Sequence, residues 1–509
     1  MASRKKQTLK NITVAFFSNI LIYVLSLFTS RVIKERLGLD ILGLNGVLAN
    51  VISILSLTEL GIGGVITFAL YEPLAHQNKE LIKSIMAFYK KAYRIIAIVV
   101  AVIGLVLLPL VPSLIKSSDF SNRYIVMVYL LFLANSVLSY LWVYKRTLIV
   151  ADQKNYVVTI VGLVYTYALK ISQLFAVFFT SNYILFLVIQ MVCTLIYNLV
   201  ISSVCDKLYP FLKDKAEKLP QEQVQLIAKK IKALFFHSLG TVVIFGTDNI
   251  LISYFCGITE AGRYTSYLSI VNMIGTIVVI VFDNLRDSLG NFLVTETRER
   301  KRELFNNLFF MNQTLVSIFS ICLLLLLTPF VQLWFGADTV LPNYVVASMV
   351  FCFYLQKSML TTGGMKSSAG LFEQDRFIPI YESFVNLVAS ILLANKFGIV
   401  GIVWGTIIST LLGPFLVQPI ILFKQVFTEN GFKYFGLYGT YFIRFVIIFG
   451  FVNFIFTNLV GFIPKSIFSF LLEAAILFVI VCICWFVSVS WKKEWRYFMG
   501  LILGKLRRR

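Results

Sequence analysis

Three cations interrupt long apolar runs of this 509-residue chain: Lys170, Lys357 and Arg444. A charged side chain at the centre of a membrane helix costs roughly 2.5–3.5 kcal/mol, so it is retained for function or paired with an opposite charge. Lys170 lies about fourteen residues into its run, too deep for its stem to reach water easily. It reads either as a cation lining a cavity and facing a substrate phosphate, or as a buried lysine paired with a carboxylate on a neighbouring helix. Arg444, about ten residues into its run, contacts a lipid diphosphate, lines a cavity, or snorkels to the headgroups. Lys357 lies nearer an end of its run, which favours snorkelling.

A second group is Arg31, Lys34 and Arg36, with Arg31, Lys34 and Glu35 on one side of a helix. Such a cluster holds a diphosphate by charge-assisted bonds, or forms a rim ion pair of Lys34 or Arg36 with Glu35 or Asp40. Among carboxylates, Asp248 and Glu59 lie deepest. A buried carboxylate exchanges a proton or binds sodium, or merely neutralises Lys170 or Arg31. The glycines after Glu59 favour a packing role there, and His237 reads as a polar packing residue. The seven cysteines, including Cys482 and Cys484, have no partners at metal-ligand spacing. No phosphate-binding loop, nucleotide domain or extramembrane segment large enough for a catalytic constellation is present. The expected chemistry is binding and passage, not bond making, with no cofactor beyond a proton or sodium gradient.

The elements that must position these residues follow from composition. The chain is 58% hydrophobic and 14% charged, with a mean hydropathy of +0.84. Soluble domains are about 45–50% apolar and roughly 25% charged, so this chain must live in lipid. That excludes a soluble enzyme, a disulfide scaffold and a disordered hub. A helix needs about 20 apolar residues to cross the hydrocarbon. Fourteen such runs are expected, near 11–31, 42–70, 95–115, 124–144, 157–179, 183–204, 233–256, 264–282, 305–329, 340–362, 378–395, 398–423, 436–459 and 466–490. The first reads as a retained span, because no small-residue cleavage site precedes the second. Gly413-Pro414 should kink the twelfth.

The net charge of +21 then has a membrane explanation. With these spans, 35 of the 46 Lys and Arg fall on the side of the termini and eight on the other. Positive loops stay inside, so both termini are expected in the cytoplasm of a plasma-membrane protein. No long basic segment with interleaved aromatics exists to bind nucleic acid.

The chain also repeats itself. Gly38-Leu39-Asp40-Ile41-Leu42-Gly43 matches Gly257-Ile258-Thr259-Glu260-Ala261-Gly262 at an offset of 219, and the Asp152-Gln153 turn matches Glu373-Gln374 at 221. Six spans per copy give both copies one orientation, the parallel-repeat plan of bilobed transporters. The expected fold is all-α: two six-helix pseudo-symmetric lobes plus two C-terminal helices. The parts are residues 1–204, a cytoplasmic loop at 205–232, residues 233–423, and spans 13–14 with a basic tail at 424–509.

Several segments carry a resemblance. Thr29-Ser30-Arg31-Val32-Ile33-Lys34-Glu35-Arg36-Leu37-Gly38, continuing to Glu59-Leu60-Gly61-Ile62-Gly63, is similar to the opening of Wzx-type polysaccharide flippases. So are Ala151-Asp152-Gln153-Lys154, Gly370-Leu371-Phe372-Glu373-Gln374-Asp375-Arg376-Phe377 and Phe397-Gly398-Ile399-Val400-Gly401-Ile402. The resemblance covers essentially the whole chain and implies kinship with multidrug extruders and lipid II flippases. It implies transfer of a polyprenyl-diphosphate oligosaccharide between leaflets, for capsule or exopolysaccharide synthesis, with a polymerase and glycosyltransferases as partners. It also implies a role for a cavity arginine near the start of the chain, here Arg31, and a lipid-tail groove at spans 13–14. Lipid II transport and multidrug extrusion are the alternatives.

Overall fold

The computed structural model describes residues 2–56, 62–116, 119–229, 231, 246–283, 286–460 and 466–506. Glu59, His237 and the start of the seventh expected span lie outside them. The described residues contain helices and no strands. Eleven of the helices are long and apolar enough to cross a membrane, and they correspond to expected spans 3–6 and 8–14. The first expected span lies within Ala2–Leu37. The second is divided between the shorter apolar helices Leu39–Leu55 and Ile62–Ala75. Asp248–Cys256 is the described end of the seventh.

Several helices run well beyond their apolar cores. Lys79–Leu107 begins sixteen residues before the expected span, because Asn78 caps it through a bond from the Leu81 amide (3.0 Å). Its added turns bury Ile82, Ile85, Met86, Tyr89 and Tyr93 while Lys90 and Lys91 stay exposed. Hydropathy finds the lipid-crossing part of a helix, and its amphipathic extension follows a different pattern. Arg298–Phe335 is extended in the same way at its charged start. The twelfth span is broken where its sequence predicts. Leu411–Phe415 forms a widened turn, and Gly413 leaves helical geometry (φ −101°, ψ −106°) just before Pro414.

The described chain forms two compact units, residues 1–265 and 266–509. In the first, Asn155–Thr180 and Tyr183–Leu208 make an antiparallel hairpin. Ser181 reverses the chain in the left-handed region (φ 48°), and the Asn182 side chain caps the second helix at the Leu185 amide (3.1 Å). This unit also takes in Asp248–Cys256, which packs on Leu39–Leu55.

The repeated glycine turns meet each other within this unit. Gly38 and Gly257 share one conformation (φ 91°, ψ 170° and φ 103°, ψ 163°), each starting a new helix. A Cβ on Gly43 would strike the Ile258 carbonyl and the Gly262 amide; one on Gly262 would strike the Leu39 carbonyl and the Gly43 amide. Leu39 and Ile258 are themselves repeat equivalents, so the crossing is reciprocal. Thr259 Oγ1 donates to Asp40 Oδ1 at 2.6 Å, again between equivalent positions. In lipid, where helices gain little from apolar burial, such backbone approach is a main source of association. Gly43→Ala should therefore lower stability by about 1–3 kcal/mol, because neither facing group is a side chain that can move aside. Gly162→Ala, in open space on its helix, should be neutral or slightly stabilising. Thermal unfolding in detergent compares the two, and equal midpoints would refute the crossing.

The repeat extends to the ends of spans 4 and 10. Each is interrupted and then continues as a nine-residue helix, Val143–Ala151 and Leu360–Ser368. Lys145 and Lys366, 221 positions apart, sit on these extensions. Lys145 Nζ donates to Asp206 Oδ2 (2.6 Å) and Ser202 Oγ (2.7 Å), and Lys366 pairs with Asp375. Nearby, Asp152 accepts from Tyr209 Oη (2.6 Å) and pairs with Lys154 (2.7 Å). Burial alone would raise the Asp152 pKa, but the bonds from Lys154 and Tyr209 outweigh it and hold the carboxyl below its ordinary value. A depressed carboxyl stabilises the fold fully above its unfolded pKa of about 3.9 and loses that contribution as pH falls through the folded value. The melting difference between wild type and Asp152→Asn should thus be constant above about pH 5 and shrink below about pH 4. A difference independent of pH down to acid unfolding would contradict this assignment.

Candidate functional site

Lys170 lies just past the midpoint of the Asn155–Thr180 helix, about 15 Å of rise from its Thr180 end. It is half-buried. The same helix presents polar groups around it. Tyr167 Oη donates to the Ser18 carbonyl (3.3 Å), Gln173 Nε2 donates to Gln190 Oε1 (3.4 Å), and Tyr165 bonds Thr194 (3.2 Å). These contacts tie the helix to Ala2–Leu37 on one side and Tyr183–Leu208 on the other. Lys170 itself forms no ion pair or hydrogen bond among the described residues. A lysine present only for packing would want a carboxylate there.

The expected cluster at the end of the first span is separated. Arg31 Nε pairs with Glu35 Oε1 at 2.8 Å, whereas Arg36 lies over the Phe178 ring, 5.0 Å from its centroid. Arg36 thus rests on the Lys170 helix, eight residues towards its far end. Asp40 serves the glycine crossing rather than Lys34 or Arg36. Asp248 starts its helix and accepts from Tyr264 Oη at 3.4 Å, beside buried Asn249.

In the second unit, Lys357 is deeper than its apolar run implies. Asn343–Ser358 is followed at once by Leu360–Ser368, so Lys357 lies near the middle of a 26-residue helical stretch. The break between the two frees carbonyls. Asn312 Nδ2 serves those of Lys357 (3.1 Å) and Ser358 (2.8 Å), and Gln313 Nε2 adds a bond to Ser358 (3.1 Å). The lysine stem fits over Gly275, where a Cβ would come within 3.0 Å of Cε. Lys357 also has no carboxylate partner among the described residues. Arg444 is brought beside aromatic rings, with Cζ 5.6 Å from the Tyr441 centroid and 5.8 Å from that of Trp491. Trp491 lies just past the Ile467–Val489 helix, so the Arg444 side chain, carried from the middle of Phe432–Ile455, reaches the level of that helix's end.

Two carboxylates escaped the sequence reading. Glu382 accepts from Thr410 Oγ1 (3.1 Å) and packs against Gly413 at the broken turn. It heads a ladder with Asn386, which donates to Thr406 Oγ1 (2.9 Å), and Ser390, which donates to the Ile402 carbonyl (3.2 Å). Glu473 has its Oε2 buried without a hydrogen-bond partner. Both stand inside apolar runs, which is the signal by which Lys170 was found.

No protein-family model matches the chain, and no curated protein does. Solved structures do. The lipid II flippase MurJ, in an inward closed conformation, superposes with a TM-score of 0.69 over 94% of this chain and 98% of its own, at 12% identity. An inward-facing multidrug resistance MATE family transporter of the MOP superfamily gives 0.59, over 77% of this chain and 92% of its own, at 14% identity. The MATE multidrug transporter DinF-BH gives 0.54, over 82% and 95%, at 16% identity. The chain shares the fold of these solved proteins, and its eleven long apolar helices make it a multi-pass membrane protein.

Proposed function

We propose that this chain is a flippase that moves a polyprenyl-diphosphate-linked oligosaccharide from the inner to the outer leaflet of a plasma membrane. The observation that carries this reading is Lys170, a cation inside a span with no carboxylate among the described residues to neutralise it. Lys357 repeats the condition in the second unit. Unneutralised cations within spans suit a substrate that brings its own negative charge and repel a cationic drug. A diphosphate crossing bare hydrocarbon pays a prohibitive desolvation cost, and fixed lysines replace part of its hydration. The sugar and diphosphate would pass through a wet, cationic cavity while the polyprenyl tail stays in lipid.

In this account spans 1–6 (residues 1–204) rock against spans 7–12 (residues 233–423), with the termini in the cytoplasm. Arg31 and Arg36 attract the headgroup at the far rim. Asp248 and Glu59 are the candidate sites for proton or sodium coupling. A polysaccharide polymerase and glycosyltransferases would act on either side of the step. The protein makes and breaks no bond.

The MurJ superposition favours a second reading, lipid II transport, which shares the diphosphate and differs in the headgroup. Competition binding separates the possibilities. Purified protein should bind a fluorescent polyprenyl-diphosphate oligosaccharide and release it to an unlabelled glycan lipid, but not to a lipophilic cation. Displacement by lipid II at much lower concentration would favour the second reading. Displacement by the cation would refute both.

A further inference from the structure

The second unit carries a cationic site that the transport account does not use. Lys492 Nζ lies 3.9 Å from the Tyr441 ring centroid, and Arg444 addresses the same ring at 5.6 Å. Both cations are half-buried, and neither forms an ion pair among the described residues. Arg444 Nη1 is buried with no hydrogen-bond partner. Burial, and then the neighbouring Arg444 guanidinium, push the Lys492 pKa below the ordinary lysine value; Glu494 opposes this without reaching ion-pair distance. Two like charges are therefore held around one aromatic ring with incomplete compensation.

Their position says what could complete it. Ile467–Val489 is apolar apart from Glu473 and two serines, and it is soon followed by Trp491, Lys492, Lys493 and Glu494. An aromatic residue and a charged run after such a helix mark the level at which hydrocarbon gives way to headgroups. Trp485 Nε1 donates to Thr314 Oγ1 (3.0 Å), fixing this helix against Arg298–Phe335. Tyr441 meets Phe309 of that same helix, with centroids 5.6 Å apart, so the ring between the two cations is itself anchored. At this depth the abundant anion is a lipid phosphate, whose several oxygens can accept from a guanidinium and an ammonium together.

We infer that Arg444 and Lys492 hold the headgroup phosphate of an anionic membrane phospholipid where the Arg444 side chain of span 13 meets the end of span 14, outside the two six-span repeats. Tyr441 and Trp491 would flank the headgroup and upper acyl chain. The site keeps the two added helices anchored to one leaflet and is independent of which substrate the protein carries.

Native mass spectrometry of the full chain, released from a neutral detergent with added phosphatidylglycerol or phosphatidylcholine, tests this. Wild type should retain phosphatidylglycerol in preference to phosphatidylcholine. Combining Arg444→Gln with Lys492→Gln should weaken phosphatidylglycerol on the order of thirtyfold, and Lys492→Gln alone about fivefold. Arg444→Lys should keep most of the binding, which guards against a variant that merely fails to fold. Equal phosphatidylglycerol binding by wild type and the folded double variant would overturn the site. Loss of polyprenyl diphosphate binding with phosphatidylglycerol unchanged would assign these residues to substrate instead. Full displacement of the phospholipid by millimolar inorganic phosphate would make this a free-anion site. Either of those results also overturns the inference.

Discussion

Lys170→Ala should abolish most substrate crossing in reconstituted vesicles while leaving the protein folded. A charge-assisted hydrogen bond is worth about 1.5–3 kcal/mol, so losing it where the diphosphate is most poorly solvated should slow crossing by roughly 10- to 150-fold. Lys170→Arg should retain much of the rate, since the charge persists. Stability is the discriminating readout. Removing one partner of a buried ion pair costs about 3–5 kcal/mol, because the other charge is stranded. Lys170 has no such partner among the described residues, so Lys170→Ala should melt at or above the wild-type temperature. A large drop in melting temperature, with crossing lost only in proportion to folded protein, would make Lys170 a structural residue.

The second large effect is the reverse case. Lys366 and Asp375 are 3% and 4% exposed, and they pair with each other. Asp375→Ala strands a buried ammonium and should cost about 3–5 kcal/mol. Lys145, the repeat equivalent of Lys366, has a different partner and gives an internal control. Lys145 and Asp206 are 13% and 32% exposed at their side chains, and Lys145 keeps Ser202 Oγ when Asp206 is removed. Asp206→Ala should therefore cost clearly less. Combining Asp375→Leu with Lys366→Met should recover much of the loss, since a well-packed apolar pair often replaces a buried ion pair without penalty. Thermal unfolding of these variants in one detergent checks the order, and equal losses for Asp375→Ala and Asp206→Ala would contradict it.

Much of this architecture could be read from residue order because lipid imposes a simple rule. Apolar runs long enough to cross become helices, and the eleven long spans fall where the runs lie. The ends were less legible. Lys79–Leu107 continues through alternating polar and buried residues, where hydropathy is silent and helical periodicity speaks. The repeat was legible as an offset, but only coordinates show Gly43 and Gly262 touching, because sequence similarity does not reveal contact. Lys170, Lys357 and Arg444 were found because a charge in an apolar run is conspicuous. Glu382 and Glu473 are as conspicuous by that rule, but only the structure shows the Thr410 bond of the one and the buried Oε2 of the other. Pairings could not be read at all. Lys145 finds Asp206 sixty-one residues away, and Arg444 finds Trp491 because the last two spans pack side by side.

Movement of a diphosphate-linked glycan across the bilayer can be measured directly. Purified protein would be placed in liposomes holding a fluorescent polyprenyl-diphosphate oligosaccharide in both leaflets, with an impermeant quencher added outside under an imposed proton or sodium gradient. The account predicts that fluorescence protected in protein-free vesicles becomes accessible when the protein is present, and that Lys170→Ala restores the protection. Protection unchanged by the wild-type protein under either gradient, with a glycan lipid that it demonstrably binds, would contradict the account.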